Sequence, residues 1–187
     1  YAVHEVVRAG LNRRVMFDVD LTEKVNKDTL LRYIRILKAA CRTAYESYGN
    51  VYESDLSDDA FRVMISDAKA PFKGFHLLLT TVMMPAASIA RLYCAVREVL
   101  ATGGLVNESG LNCAREDCTV ITDALDDKPA GETFNMRLYG SPKIERRAGR
   151  KKGTSSRQKR LLDDAHDIVY DPDVDLREYL IQPGGVR

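Results

Sequence analysis

"RRVMFDVDLTEK", residues 13–24, decides how this chain is read. Val15, Met16 and Phe17 form a continuous apolar run of strand character, and alternate residues of a strand share a face. Asp18 and Asp20 therefore leave the end of a buried strand on one side. Two carboxylates that close repel, and each raises the other's pKa unless a cation holds them. A hard divalent ion, Mg²⁺ or Mn²⁺, favours all-oxygen donors of this kind and keeps positions open for water and phosphates. An isolated D-x-D is more often a solvated strand end, so the residues downstream decide.

After Thr22 the apolar period changes. Asp28 caps a helix carrying Leu30, Leu31, Ile34, Leu37 and Cys41, with Tyr45 and Tyr48 farther along and Gly49 as the stop. Residues 52–59 are polar and read as a loop. "AFRVMISDA" (60–68) and "KGFHLLLTTVMM" (73–84) read as the two strands of a hairpin. Pro85 opens a second helix with Ile89, Leu92, Tyr93, Val96, Val99 and Leu100, ended by Gly103 and Gly104. "CTVITDAL" (118–125) reads as a third strand region, joined by a Pro/Gly loop to a strand in "FNMRLYGSPKI" (134–144). This order predicts an α+β fold, a mostly antiparallel mixed sheet with helices against one face.

The 187 residues suit one domain, 1–187, with a real core. The chain starts at Tyr1 with the apolar rhythm running almost at once, and is read as a piece of a longer protein. No apolar run approaches membrane-spanning length and no signal peptide is visible. Cys41, Cys94, Cys113 and Cys118 show neither a C-x-x-C pair nor a His at zinc spacing, which reads as reduced thiols in an intracellular protein. The net charge of +1 names no partner, but it conceals segregation. Residues 143–160 hold nine Lys or Arg against one Glu, whereas 163–178 hold seven acids and one Arg. Gly149, Gly153, Thr154, Ser155 and Ser156 mark 145–160 as a basic, mobile segment.

Two companions bear on the aspartates. His76 lies on a strand beside Gly74 and Lys73; such a His is usually structural, yet with Gly and Lys beside it His can bind phosphate oxygens. Arg137 and Lys143 flank a Gly-Ser-Pro turn, an arrangement able to grip a polyphosphate or a nucleic-acid backbone, and equally a plain cationic strand end.

Taken in order, "MFDVD", "KGFHLLL", an apolar-Asp step and "FNMRLYGSPK" resemble the archaeo-eukaryotic primase (primase-polymerase) superfamily. The nearest likeness is to primase domains in the primase-helicases of large DNA viruses. The resemblance runs from about Val15 to Lys143. It implies an RRM-like catalytic core, with Asp18 and Asp20 as the D-x-D motif and His76 as the His of S-x-H. Gly74 stands where that motif has Ser. Family spacing back from Arg137 favours Asp126 as the third carboxylate, the run "TVIT" leads instead into Asp123, and Asp127 comes third. "DKPAGET" replaces the apolar-Tyr pair that usually follows.

The resemblance implies DNA-templated primer synthesis, with Asp18, Asp20 and the third Asp holding two divalent ions, Mg²⁺ or Mn²⁺. His76, with Arg137, Lys143 and Lys73, would bind the triphosphate of the incoming nucleotide. Arg146, Arg147, Arg150, Lys151 and Lys152 would track a single-stranded DNA template. The viral likeness further implies a helicase domain on the same full-length chain, and favours cytoplasm over nucleus. Two rivals stand beside this reading. "FDVDLT" also fits the D-x-D-x-T of haloacid-dehalogenase-type phosphatases, with Asp18 as nucleophile, although Leu21 stands where Gly is usual and those enzymes use a parallel sheet. The other rival is a catalytically silent nucleic-acid-binding module that keeps the primase fold.

Overall fold

The computed structural model describes residues 4–46, 56–65, 67, 69–102, 113–137, 139, 142–147, 150–158, 160–163, 166–169, 171 and 173–183. In chain order the elements are β1 (His4–Val7), β2 (Arg13–Val25), α1 (Lys27–Glu46), β3 (Phe61–Ile65), β4 (Phe72–Met84) and α2 (Ala86–Thr102). Then come α3 (Arg115–Ala124), β5 (Leu125–Asp126), β6 (Phe134–Arg137), β7 (Pro142–Arg147), β8 (Arg150–Gln158), β9 (Arg160–Leu162) and β10 (Ile168–Val169).

The alternation along β2 fixes the layers. Val15, Phe17, Val19 and Leu21 are buried in the main core, where they meet Leu30, Ile34, Leu37 and Cys41 of α1 and Ile89, Tyr93 and Val96 of α2. Phe75, Leu77 and Leu79 of β4 enter the same core. The intervening residues, Met16 on β2 and Leu78 on β4, face the other way and pack with Val7, Met136 and Ile181. One face of the sheet therefore carries the helices, as the sequence predicts. The opposite face is covered in part by the small β1–β6 sheet and by the C-terminal segment. Arg14 holds that segment, donating from Nη1 to the carbonyls of Arg177, Glu178 and Leu180, and from Nε to Thr80.

The main sheet runs β10-β9-β3-β4-β2-β5, and every pairing in it is antiparallel. The unit β2-α1-β3-β4-α2-β5, with strands in the spatial order β3-β4-β2-β5, is the split β-α-β, ferredoxin-like arrangement that RRM domains share. α3 is an addition between α2 and β5. No helix among the described residues is long and apolar enough to cross a membrane.

Two expectations are corrected. "CTVITDAL" is mostly helix, not strand. Cys118, Ile121 and Ala124, three residues apart, are its buried face, and Thr119 and Thr122 donate their hydroxyls to the carbonyls four residues earlier. Packing of that face overrides the β-propensity of the Thr and Val residues. "FNMRLYGSPKI" is divided between two sheets, β6 pairing with β1 and β7 with β8. Within the basic tract β7 and β8 pair as a hairpin, with Arg146 opposite Lys151 and Arg147 opposite Arg150. The expected stops at Gly49 and at Gly103 and Gly104, together with Tyr48, lie outside the described residues.

Candidate active site

β2 and its two neighbours assemble the site. Asp18 is opposite His76 on β4 and, on its other side, opposite Asp126 on β5. Residues directly opposite across a sheet project to one face with their Cβ atoms about 4.5–5.5 Å apart. The row His76–Asp18–Asp126 thus crosses three strands on the face away from α1 and α2. Asp20, two residues on from Asp18, shares that face and is opposite Gly74. His76 is also opposite Met64 of β3, which packs with Tyr139, Leu161 and Tyr179, so one side of the row ends in an apolar wall.

His76 Nε2 lies 3.1 Å from Asp18 Oδ1, with the two side chains 10% and 20% exposed. The contact is an ion pair when the ring is protonated, and it orients the imidazole along the row. Asp126 is engaged by its own turn. Its carboxylate accepts the Lys128 backbone N–H at 3.0 Å and the Lys128 Nζ at 3.0 Å. Lys128 itself is exposed, and its pKa is raised first by that hydrogen bond and charge of Asp126, and further by the charges of Asp18 and Asp20. One exposed ammonium therefore feels all three carboxylates. Among the described residues no three His, Cys, Asp or Glu side chains are gathered as a metal-holding group; Asp18 is turned to His76 and Asp126 to Lys128.

The strands are supported from the helix side. Tyr93 of α2 stacks on Phe17 at 4.8 Å between ring centroids and donates its hydroxyl to the Met16 carbonyl. Burial, then the charge of Asp18, pushes this phenol well above its ordinary pKa, so it stays a hydrogen-bond donor. Arg97 of α2 donates to the Leu125 carbonyl at 2.9 Å and meets Asp127 Oδ1 at 2.9 Å. Arg13, 1% exposed, donates to the carbonyls of Pro129, Gly131 and Glu132 and lies over the Phe134 ring. The segment carrying Asp126 is held at both ends by arginine.

Of the residues singled out from sequence, the fold brings Asp18, Asp20, His76 and Asp126 together. Asp123 is exposed on the last turn of α3, off the row. Asp127 is paired with Arg97. Lys73 is exposed at the start of β4, three residues from His76, so strand alternation turns it from the His76 face; its backbone N–H donates to Asp67. Arg137 ends β6 opposite His4, one residue past Met136, in the small sheet that covers the same face as the row. For Lys143, Arg146, Arg147, Arg150, Lys151 and Lys152 the strand positions are described and the side chains are not. Sequence reasoning missed Lys128, Arg97, Tyr93 and Arg13. For Lys128 a signal existed in its position two residues after Asp126. The three others act through folding alone, across tens of residues.

No protein-family model matches the chain, and no curated protein matches it.

Proposed function

We propose that this chain is the catalytic domain of a primase-polymerase, joining nucleotides on a single-stranded DNA template. The row His76–Asp18–Asp126, with Asp20 beside it on the same face, carries the reading. It unites on one sheet face three carboxylates and a histidine that are 108 residues apart in sequence at their extremes. Their donor chemistry fits hard divalent ions, Mg²⁺ or Mn²⁺. The present counter-ion, Lys128, is 80% exposed on its side chain and free to swing aside. Asp18, Asp20 and Asp126 would hold the metal. Bound there, divalent ions supply activation of a 3′-hydroxyl and neutralisation of the triphosphate. His76, oriented by Asp18, donates to a phosphate oxygen, with Arg137 and Lys143 as further phosphate-binding groups.

The β7–β8 hairpin supports the nucleic-acid side of the proposal. Its register sets Arg146 opposite Lys151 and Arg147 opposite Arg150, which gathers basic residues on one short hairpin, a composition suited to a polyanion. A helicase domain on the full-length chain belongs to the same proposal and rests on the resemblance alone. The dehalogenase-type alternative is disfavoured by one observation: its strand sits in a parallel sheet, whereas β2 is antiparallel to both neighbours.

The test is primer synthesis on single-stranded DNA with labelled nucleotides and Mg²⁺ or Mn²⁺. Wild type makes short products, Asp18→Ala and Asp126→Ala make none, and Asp123→Ala behaves as wild type. Template binding without synthesis by the wild type, under either metal, would instead identify a silent binding module.

A further inference from the structure

Tyr93 and Arg97 are four residues apart in α2 and so share one face of one helical turn. Each reaches a different carboxylate-bearing strand. Tyr93 Oη donates to the carbonyl of Met16, two residues before Asp18. Arg97 Nη2 donates to the carbonyl of Leu125, the residue before Asp126, while Nη1 meets the carboxylate of Asp127, the residue after it. A single turn of helix spans both strands from beneath.

We propose that Arg97 is a positioning residue that sets Asp126 against Asp18 for metal binding. The inference rests on the primase reading of the site. β5 has two residues and two cross-strand pairs with β2, less than an ordinary strand, so its ladder alone gives Asp126 a loose anchor. A metal site tolerates ligand displacements of only about 0.2 Å. The forked guanidinium removes that looseness by fixing the peptide before Asp126 and the side chain after it, a planar two-point grip that an ammonium lacks. A merely stabilising role fits the residue less well. Arg97 Nε is buried with no hydrogen-bond partner among the described residues, a cost that an apolar side chain packed under β5 would not carry.

The experiment measures Mn²⁺ affinity directly, from the electron paramagnetic resonance signal of free Mn²⁺, for wild type, Asp126→Asn, Arg97→Gln, Arg97→Lys and Asp127→Asn. Thermal melts accompany each variant. Arg97→Gln weakens Mn²⁺ binding about tenfold, within the range seen when partners of metal ligands are removed. Arg97→Lys recovers part of the loss, and Asp127→Asn, which removes one arm of the grip, loses less than Arg97→Gln. In primer synthesis the metal requirement of Arg97→Gln rises while the rate at saturating metal is retained. Wild-type Mn²⁺ affinity in Arg97→Gln, whatever its melting temperature, overturns the inference. Should Arg97→Gln not fold, Asp127→Asn decides, and unchanged Mn²⁺ binding there overturns it equally. A loss of the reading itself looks different: Asp126→Asn then binds Mn²⁺ as wild type does, and the inference falls with the site.

Discussion

Restoring the serine of the S-x-H pattern, Gly74→Ser, is expected to damage this protein. A Cβ built on Gly74 would lie 1.9 Å from the Val19 carbonyl oxygen, 3.0 Å from its carbon and 3.3 Å from the Asp20 Cα. All three are backbone atoms, so no side chain can rotate out of the way. Moving the 1.9 Å contact to 3.0 Å requires β2 and β4 to part by 1.1 Å. An N–H···O bond lengthened that much from its usual 2.9 Å or so is lost. One or two ladder bonds at about 1 kcal/mol each, added to about 1–3 kcal/mol for overpacking, give a destabilisation of about 2–5 kcal/mol. In a domain of this size that lowers the melting temperature by about 10 °C. The strands that part carry Asp20 directly opposite Gly74 and the Asp18–His76 pair one step along, so synthesis should fall further than stability when assayed well below the melting temperature. Calorimetry and primer synthesis on Gly74→Ala and Gly74→Ser provide the measurement. Gly131→Ala, whose new Cβ would meet the Lys128 carbonyl oxygen at 3.2 Å, serves as the milder control. A Gly74→Ser protein that melts with the wild type would refute the close approach of β4 to β2 and the reason given for glycine here.

Other expectations are as definite. Lys128→Met removes the exposed ammonium that Asp126, Asp18 and Asp20 share, so it should leave the melting temperature nearly unchanged and tighten Mn²⁺ binding; weaker binding would mean that the lysine assists the ion. Burial pushes the Cys41 thiol up from 9.0 to about 12. Below pH 9 both folded and unfolded chains hold that proton; between the two values only the folded chain does, so stability declines as pH rises, by about 1.4 kcal/mol for each unit. Urea titrations at pH 8 and pH 10 should show a steeper loss in wild type than in Cys41→Ala, and parallel losses would count against it. Replacing Arg146, Arg147, Arg150 and Lys151 by Gln should weaken binding of single-stranded DNA across sequences. It should also flatten the salt dependence by nearly one unit of slope for each phosphate no longer neutralised; an unaltered slope would remove the hairpin from the interface.

The sequence by itself determined the layers and half of the site. Two-residue spacing put Asp18 and Asp20 on one face, because the side-chain direction of a strand is local geometry; burial of Val15, Phe17 and Val19 against the helices then made it the face away from them. The same holds for the hairpin partner of β3 and for both long helices, whose apolar spacing is legible residue by residue. Tertiary structure decided the rest. Asp123 and Asp126 are equally acidic in sequence. The burial of Cys118, Ile121 and Ala124 makes the first end a helix and the second begin a strand, so that Asp126 alone meets Asp18. The helix was illegible because Thr, Val and Ile favour strands locally, and only a waiting hydrophobic surface reverses that preference. His76 could be placed on a strand from sequence, but its partner could not, since cross-strand register depends on how β2 and β4 dock. Arg97 and Arg13 grip carbonyl oxygens 28 and 116 or more residues away, and a carbonyl carries no mark in a sequence. What a side chain is can be read in a line of letters; which backbone it holds exists only after the chain has folded.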